Sequence, residues 1–182
     1  MRSSFILLVL FATATNSGAQ SAAKDANPVV SSMRNEWKTI AGYIAKAADQ
    51  MPEADYAFQP TSTVRTFGQL IGHLAGSQNL ICSAALGEPP RAAEDDIEKN
   101  VITKAGLVAA LRASTEYCTR AYSQPDAATG GATKLFGSDA TRLEALVRNT
   151  VHDGEHYGNI VTYMRIKGMV PPSSQRAPQA AQ

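Results

Sequence analysis

The sequence predicts an all-α protein, a four-helix bundle, and three observations carry that expectation. Four stretches repeat apolar residues at intervals of three and four, each over about 19 to 27 residues. No stretch alternates in the manner of a convincing strand. Two of the connections between helical stretches are long, and a plain up-down-up-down bundle does not need them, so at least one of them is expected to cross over.

The chain has 182 residues, 44% apolar and 18% charged, an ordinary composition for one domain with a substantial core. Its first residues read as an export signal. Arg2 supplies positive charge, Phe5 to Ala12 is an apolar run, and Ser17-Gly18-Ala19 offers small residues before a cleavage at Gln20. That run is too short for a permanent membrane anchor, and no later segment reaches the roughly 18 to 20 apolar residues needed. The expected organisation is a signal peptide over 1–19, a flexible leader over 20–27, the bundle over 28–170 and a disordered tail over 171–182. The mature protein is expected to be periplasmic or secreted, with no membrane attachment after cleavage.

Loss of Arg2 with the signal turns 17 basic and 16 acidic residues into 16 of each. Neutral charge without a basic cluster disfavours nucleic acid and anionic membrane as partners. A small molecule is the expected partner, and a second copy of the chain is a further option.

The first helix starts at Asn27-Pro28, a cap followed by the first helical position, and carries Met33, Trp37, Ile40, Ile44, Ala47 and Met51 before Pro52 stops it. Met51 to Val64 reads as an ordered loop packed by Tyr56 and Phe58. Thr66 and Gln69 form a capping box for the second helix, whose stripe is Phe67, Leu70, Ile71, Leu74, Ile81 and Ala85, closed by Gly87 and Pro89-Pro90. Glu88 to Ile102 follows, with Glu94, Asp95, Asp96 and Glu98 clustered as in a solvated connection. At about 3.3 Å per residue it reaches roughly 50 Å, enough to return along a bundle and start the next helix parallel to the last. Thr103 caps the third helix, with Leu107, Val108, Leu111, Cys118 and Tyr122 on its stripe. A loop through Pro125 and Gly130-Gly131 leads to a second capping box, Thr141 with Glu144. The last helix then runs through Leu146, Val151, Ile160 and Met164 to Gly168.

That last helix carries His152-Asp153-Gly154-Glu155-His156, and the chain has one other histidine, His73 on the second helix. Histidines four apart lie on one helical face and can share a metal ion. Adding His73 gives three neutral imidazoles with an open coordination position, the arrangement of a catalytic rather than a structural site. The five residues also match H-x-x-E-H, in which Glu155 would be the catalytic base of a metallopeptidase. Such an enzyme needs a ligand downstream, and none of the residues after His156 is His, Asp or Glu. Peptidase chemistry is therefore excluded, and Glu155 is kept as a candidate base against a plainer reading in which it and Asp153 face solvent. Gly154 and Gly158 each cost roughly 1 kcal/mol of helix propensity, so a close neighbour or a cleft is expected beside them. Asn149, Asn159 and Tyr163 lie within reach of the histidines by helical spacing.

The stretches Met51-Pro52-Glu53 through Phe58-Gln59-Pro60, Thr66-Phe67-Gly68-Gln69-Leu70 with His73-Leu74, and His156-Tyr157-Gly158-Asn159-Ile160 through Tyr163-Met164-Arg165 resemble the DinB-like superfamily. The resemblance spans nearly all of the mature chain. It implies parallel second and third helices joined by the long crossover, and a metal triad on His73, His152 and His156. It also implies zinc or nickel as the metal, and activities such as thiol-dependent transfer and isomerisation.

Cys82 and Cys118 are the only cysteines. Cys82 lies about 16 residues into the second helix and Cys118 about 15 into the third, so parallel helices put them at one height, whereas antiparallel helices separate them by roughly 15 Å. A disulfide and a pair of buried thiols both stand as readings. The functional expectation is a metal-dependent hydrolase or group transferase acting through a metal-activated water or thiol. The alternative is a non-catalytic helical bundle that binds a ligand or protein in the cell envelope.

Overall fold

The computed structural model of the protein describes residues 25–175. The signal, most of the leader and the last seven residues of the expected tail lie outside that range. Four long helices form the bundle: α1 (Pro28–Gln50), α2 (Phe67–Leu86), then, after the short α3 (Asp96–Asn100), α4 (Lys104–Ala121), and finally, after the short α5 (Asp126–Thr129), α6 (Arg142–Ile166). Among the described residues no helix is long and apolar enough to cross a membrane.

Cross-helix contacts give the directions. Gln78 meets Ser114, and Cys82 is bonded to Cys118 with the Cα atoms 5.3 Å apart, so positions advance together and α2 and α4 are parallel. His73 meets His156 while Gln78 meets Asp153, so α6 runs antiparallel to α2. Ile40 touches Gly154 and Tyr43 stacks on Tyr157, which makes α1 parallel to α6. The crossover between the second and third long helices is thus present, and of the two readings of the cysteines the structure has the disulfide.

Glycines on α2 explain how the crossover can lie flat. A Cβ on Gly72 would sit 2.8 Å from the Glu98 Cα, and one on Gly76 would run into the carbonyl oxygen of Glu94. Only a hydrogen at these two positions lets the Glu94–Glu98 backbone rest on the helix. This corrects the picture of a solvated connection: Glu94 and Glu98 are partly buried. The cost expected at Gly154 and Gly158 finds no such compensation, since the first would meet only Ile40 Cδ1 at 3.6 Å and the second nothing within 4 Å.

Helix termini follow the sequence with two differences. Thr66 and Gln69 make both halves of their capping box, and Thr103 Oγ1 accepts from the Gly106 amide. Thr141 Oγ1 accepts from the Glu144 amide, and that half alone serves as the cap of α6. Asn27 does not cap α1. Instead the Asp126 carboxylate, 96 and 97 positions away, accepts from the amides of Val30 and Val29, while Asn27 Oδ1 accepts from the Asp126 amide.

A β-hairpin corrects the expectation of a strandless chain. β1 (Ala132–Leu135) pairs antiparallel with β2 (Ser138–Thr141) around Phe136-Gly137, both at positive φ, the turn that matches strand twist. Four residues per strand are too few for an alternation to register. The expected disordered tail also starts too early. Pro171 and Pro172 are buried, the Ser173 amide donates to the Tyr157 hydroxyl at 2.9 Å, and Gln175 Nε2 donates to Gln50 Oε1 at 3.0 Å.

The core has two apolar clusters. One gathers Ile44, Met51, Phe67, Ile71, Leu74, Leu111, Ile160 and Met164. The other gathers Trp37, Ile81, Tyr122 and Leu146 around the disulfide, with Trp37 and Tyr122 stacked at 4.4 Å.

Two measurements test this account. In urea denaturation, Gly76→Ala should lose about 1–3 kcal/mol through overpacking against the crossover, whereas Gly158→Ala should gain about 0.5–1 kcal/mol of helix propensity. Equal effects of the two would refute the close approach. Thiol titration of denatured, unreduced protein should find no free thiol, and removing the Cys82–Cys118 bond should cost about 3–4 kcal/mol for a loop of this size.

Candidate metal centre

The three histidines meet where α2 faces α6. Nε2 of His73 lies 3.2 Å from Nε2 of His152 and 3.1 Å from that of His156, and the last two are 3.1 Å apart. His73 and His156 are each 9% exposed. Helical spacing on α6 brings His152 and His156 to one face, and the antiparallel α2 supplies His73 from across the interface.

Burial lowers the pKa of all three. His152 and His156 fall to about 4, by desolvation first and then by repulsion from a neighbouring ring. His73 is lowered by desolvation and then by Arg65. All three are therefore neutral at ordinary pH, the state in which imidazole offers a lone pair to a metal. At a zinc–nitrogen distance of 2.0–2.1 Å, tetrahedral ligands lie roughly 3.3–3.4 Å from one another, close to the spacing of the triad. An all-imidazole donor set suits several transition metals, zinc, copper, iron and nickel among them. Converging neutral nitrogens, held at ligand spacing, fit a divalent ion.

The outer nitrogens are treated differently. Asn159 lies with its amide 3.3 Å from His156 Nδ1, so with Nε2 turned to the triad the Nδ1 proton has the Asn159 amide oxygen as its acceptor once that group is oriented to it. Glu98 Oε2 stands 3.6 Å from His73 Nδ1 and also accepts from Arg65 Nε, at 3.1 Å. Ser77, one turn after His73, donates to Glu94 Oε1 at 2.5 Å. His152 Nδ1 is buried with no hydrogen-bond partner among the described residues. The two acids of the crossover are site residues that sequence reasoning assigned to solvent. The signal that could have placed them is the spacing of Gly68, Gly72 and Gly76, a groove one turn apart on the helix that carries His73.

Asp153 corrects the expectation of a solvated face, for it is wholly buried. Gln78 Nε2 donates to its Oδ2 at 3.0 Å, and Gln78 Oε1 accepts from Ser114 at 2.8 Å and Thr115 at 3.2 Å. Burial pushes the Asp153 carboxyl up to about 7 against the pull of Gln78. Glu155 is exposed on the flank of α6, near enough for its charge to favour protonation of His152 and His156. Asn149 donates to the Tyr122 hydroxyl at 3.2 Å, within the second cluster. Tyr163 donates to the Arg65 carbonyl at 2.6 Å, and so fixes the residue that enters α2. A cavity of about 870 Å³ opens beside His156, lined also by Gln59, Arg65, Glu98, Asn159 and Tyr163.

Fold and site together define a class: a four-helix bundle with a parallel central pair and three histidines that could hold a metal ion. The DinB superfamily model matches residues 36–160, and the chain belongs to that superfamily. Among solved structures, a DinB-like protein from Bacillus cereus superposes with a TM-score of 0.67 at 15% identity, covering 78% of this chain and 95% of its own. A DinB-like protein from Bacillus subtilis gives 0.62 at 21% identity, covering 83% and 100%. A mycothiol-dependent maleylpyruvate isomerase gives 0.59 at 14% identity, covering 83% and 80%. No curated protein sequence matches the chain.

The buried polar layer can be probed directly. Gln78→Met removes the donor to Asp153 and the acceptor of Ser114 at nearly constant volume. It should lower the unfolding free energy by about 1–3 kcal/mol for each group stranded without a partner, measured by chemical denaturation.

Proposed function

We propose that this protein is an exported, divalent-metal-dependent enzyme of the hydrolase or group-transferase kind, with His73, His152 and His156 as metal ligands. One observation carries the reading: three neutral imidazole nitrogens, on two buried rings and the half-buried ring of His152, converge within 3.2 Å beside an open cavity. The solved neighbour named as a thiol-dependent isomerase shares the fold and supports group transfer as one branch. A disulfide within the core suits an oxidising compartment, and the signal-like residues 1–19 suit export.

When bound, zinc or nickel would supply Lewis-acid polarisation and a lowered pKa for a coordinated water or thiol. The chain's own residues do the rest. His73, His152 and His156 present nitrogen lone pairs, and Asn159 orients the His156 ring through its outer nitrogen. Burial where α2 faces α6 keeps the imidazoles desolvated. Glu155, exposed next to both α6 histidines, is the candidate to carry a proton to or from solvent at its carboxylate.

Elemental analysis of purified mature protein should find about one zinc or nickel per chain, and the His152→Ala/His156→Ala variant should hold none. Equally little metal in both would sink the site. The loaded protein should then turn over a representative ester, amide or thiol-transfer substrate, with His73→Ala reducing the rate by at least about a hundredfold, as loss of a ligand that tunes the catalytic ion should. A metal-loaded protein inert across the screen would favour the non-catalytic binding module instead.

A further inference from the structure

Arg65 lines the same open cavity as His156. Its backbone is fixed twice, by Tyr163 on its carbonyl and by the Thr66 cap that begins α2. Its side chain is fixed by Glu98, whose two carboxylate oxygens lie 3.0 and 3.1 Å from Nε. That contact uses the inner edge of the guanidinium. The outer edge, formed by the two terminal nitrogens, has no hydrogen-bond partner among the described residues, and the side chain is 41% exposed. A guanidinium edge with two parallel N–H groups matches a carboxylate in bidentate fashion.

The surroundings favour an anion of modest size. Of the described residues lining the cavity beside His156, Arg65 is the one cation and Glu98, already engaged by it, the one acid. The remaining polar lining is neutral, from Gln59, Thr61, Thr63 and Asn159 among others. A second cavity, of about 830 Å³, also has Arg65 and Glu98 in its lining. The arginine is therefore held rigid by groups that leave its recognition edge free. Preorganisation of this kind lowers the ordering cost of binding.

We propose that Arg65 anchors a carboxylate of the small molecule that this site acts on, through the free outer edge of its guanidinium. The proposal rests on the metal-centre reading for what the site does, but not for the binding itself. Glu98 acts here as a positioning residue that orients the fork. The substrate class that follows is a small organic acid whose reacting group lies toward the histidines.

The test is calorimetric titration of the mature protein with acetate and glutarate, and with the uncharged acetamide and glutaramide. Each is measured in zinc-loaded and in chelator-treated protein, with zinc content determined separately. The carboxylates should bind the wild-type protein at least about tenfold more tightly than Arg65→Gln, the worth of one hydrogen bond to a charged group. The amides should not distinguish the two, and the tenfold difference should survive removal of zinc. Arg65→Lys keeps the charge without the fork and serves as the second variant should the glutamine form not fold. It should bind several-fold more weakly than wild type. Equal carboxylate affinity in wild type and either variant, or no measurable binding of either carboxylate, would overturn the proposal. Arg65-dependent binding in a protein that takes up neither zinc nor nickel would sink the metal reading alone.

Discussion

The absence of a side chain at Gly72 and Gly76 is the constraint on which the rest of the structure depends. At these positions the crossover backbone lies against α2 at a distance that no Cβ allows. Contact there lets the chain return along the bundle instead of looping into solvent, so that α4 starts at the same end as α2. Parallel alignment then puts Cys82 level with Cys118 and Gln78 level with Ser114. It also brings Glu98 to the outer nitrogen of His73 and Glu94 to Ser77, one turn further along α2.

Polar groups are stacked through the middle of the bundle, where a domain of this size would ordinarily place leucine. Gln78 satisfies three partners from three different residues, and each bond fixes a rotation of one helix about its axis. Asp153, adjacent to His152, is locked in the same way. The register of α6 against α2 is therefore set by hydrogen bonds with directional demands, while the apolar clusters on either side supply most of the burial free energy. A site that needs three nitrogens within 3.2 Å benefits from that division, because apolar packing alone tolerates small slips.

Helices, their order and their N-terminal caps were legible because the signals are local. Thr66-x-x-Gln69, Thr103 and Thr141 each act within one turn, and the three-four spacing of Trp37, Ile40 and Ile44 or of Phe67, Leu70 and Ile71 needs no knowledge of a neighbour. The histidines were legible because a chain with only three of them offers few pairings. What escaped depends on contacts distant in sequence. Asp126 caps α1 from across the bundle, Asp153 is buried by Trp37 and Gln78 from other helices, and Glu94 and Glu98 are drawn inward by glycines some twenty residues earlier. Gly154 and Gly158 drew attention for their position beside His156, yet the close approaches occur on α2. The hairpin was hidden by its brevity, and Pro171-Pro172 by composition that resembles a free tail.

Among the described residues, the first helix in sequence is among the last to gain all of its native partners. Its terminal amides wait for Asp126, its long face packs on α6, and its far end meets Gln175. At about 5–20 residues per second, synthesis takes several seconds to span the interval between Val30 and Asp126. During that time the N-terminal amides and the apolar face of α1 lack their native partners, and without that packing an amphipathic segment is only marginally helical. The contacts that cap and cover α1 come from Asp126, α6 and Gln175, so an N-terminal half of the chain would hold its first long helix without the partners that complete it.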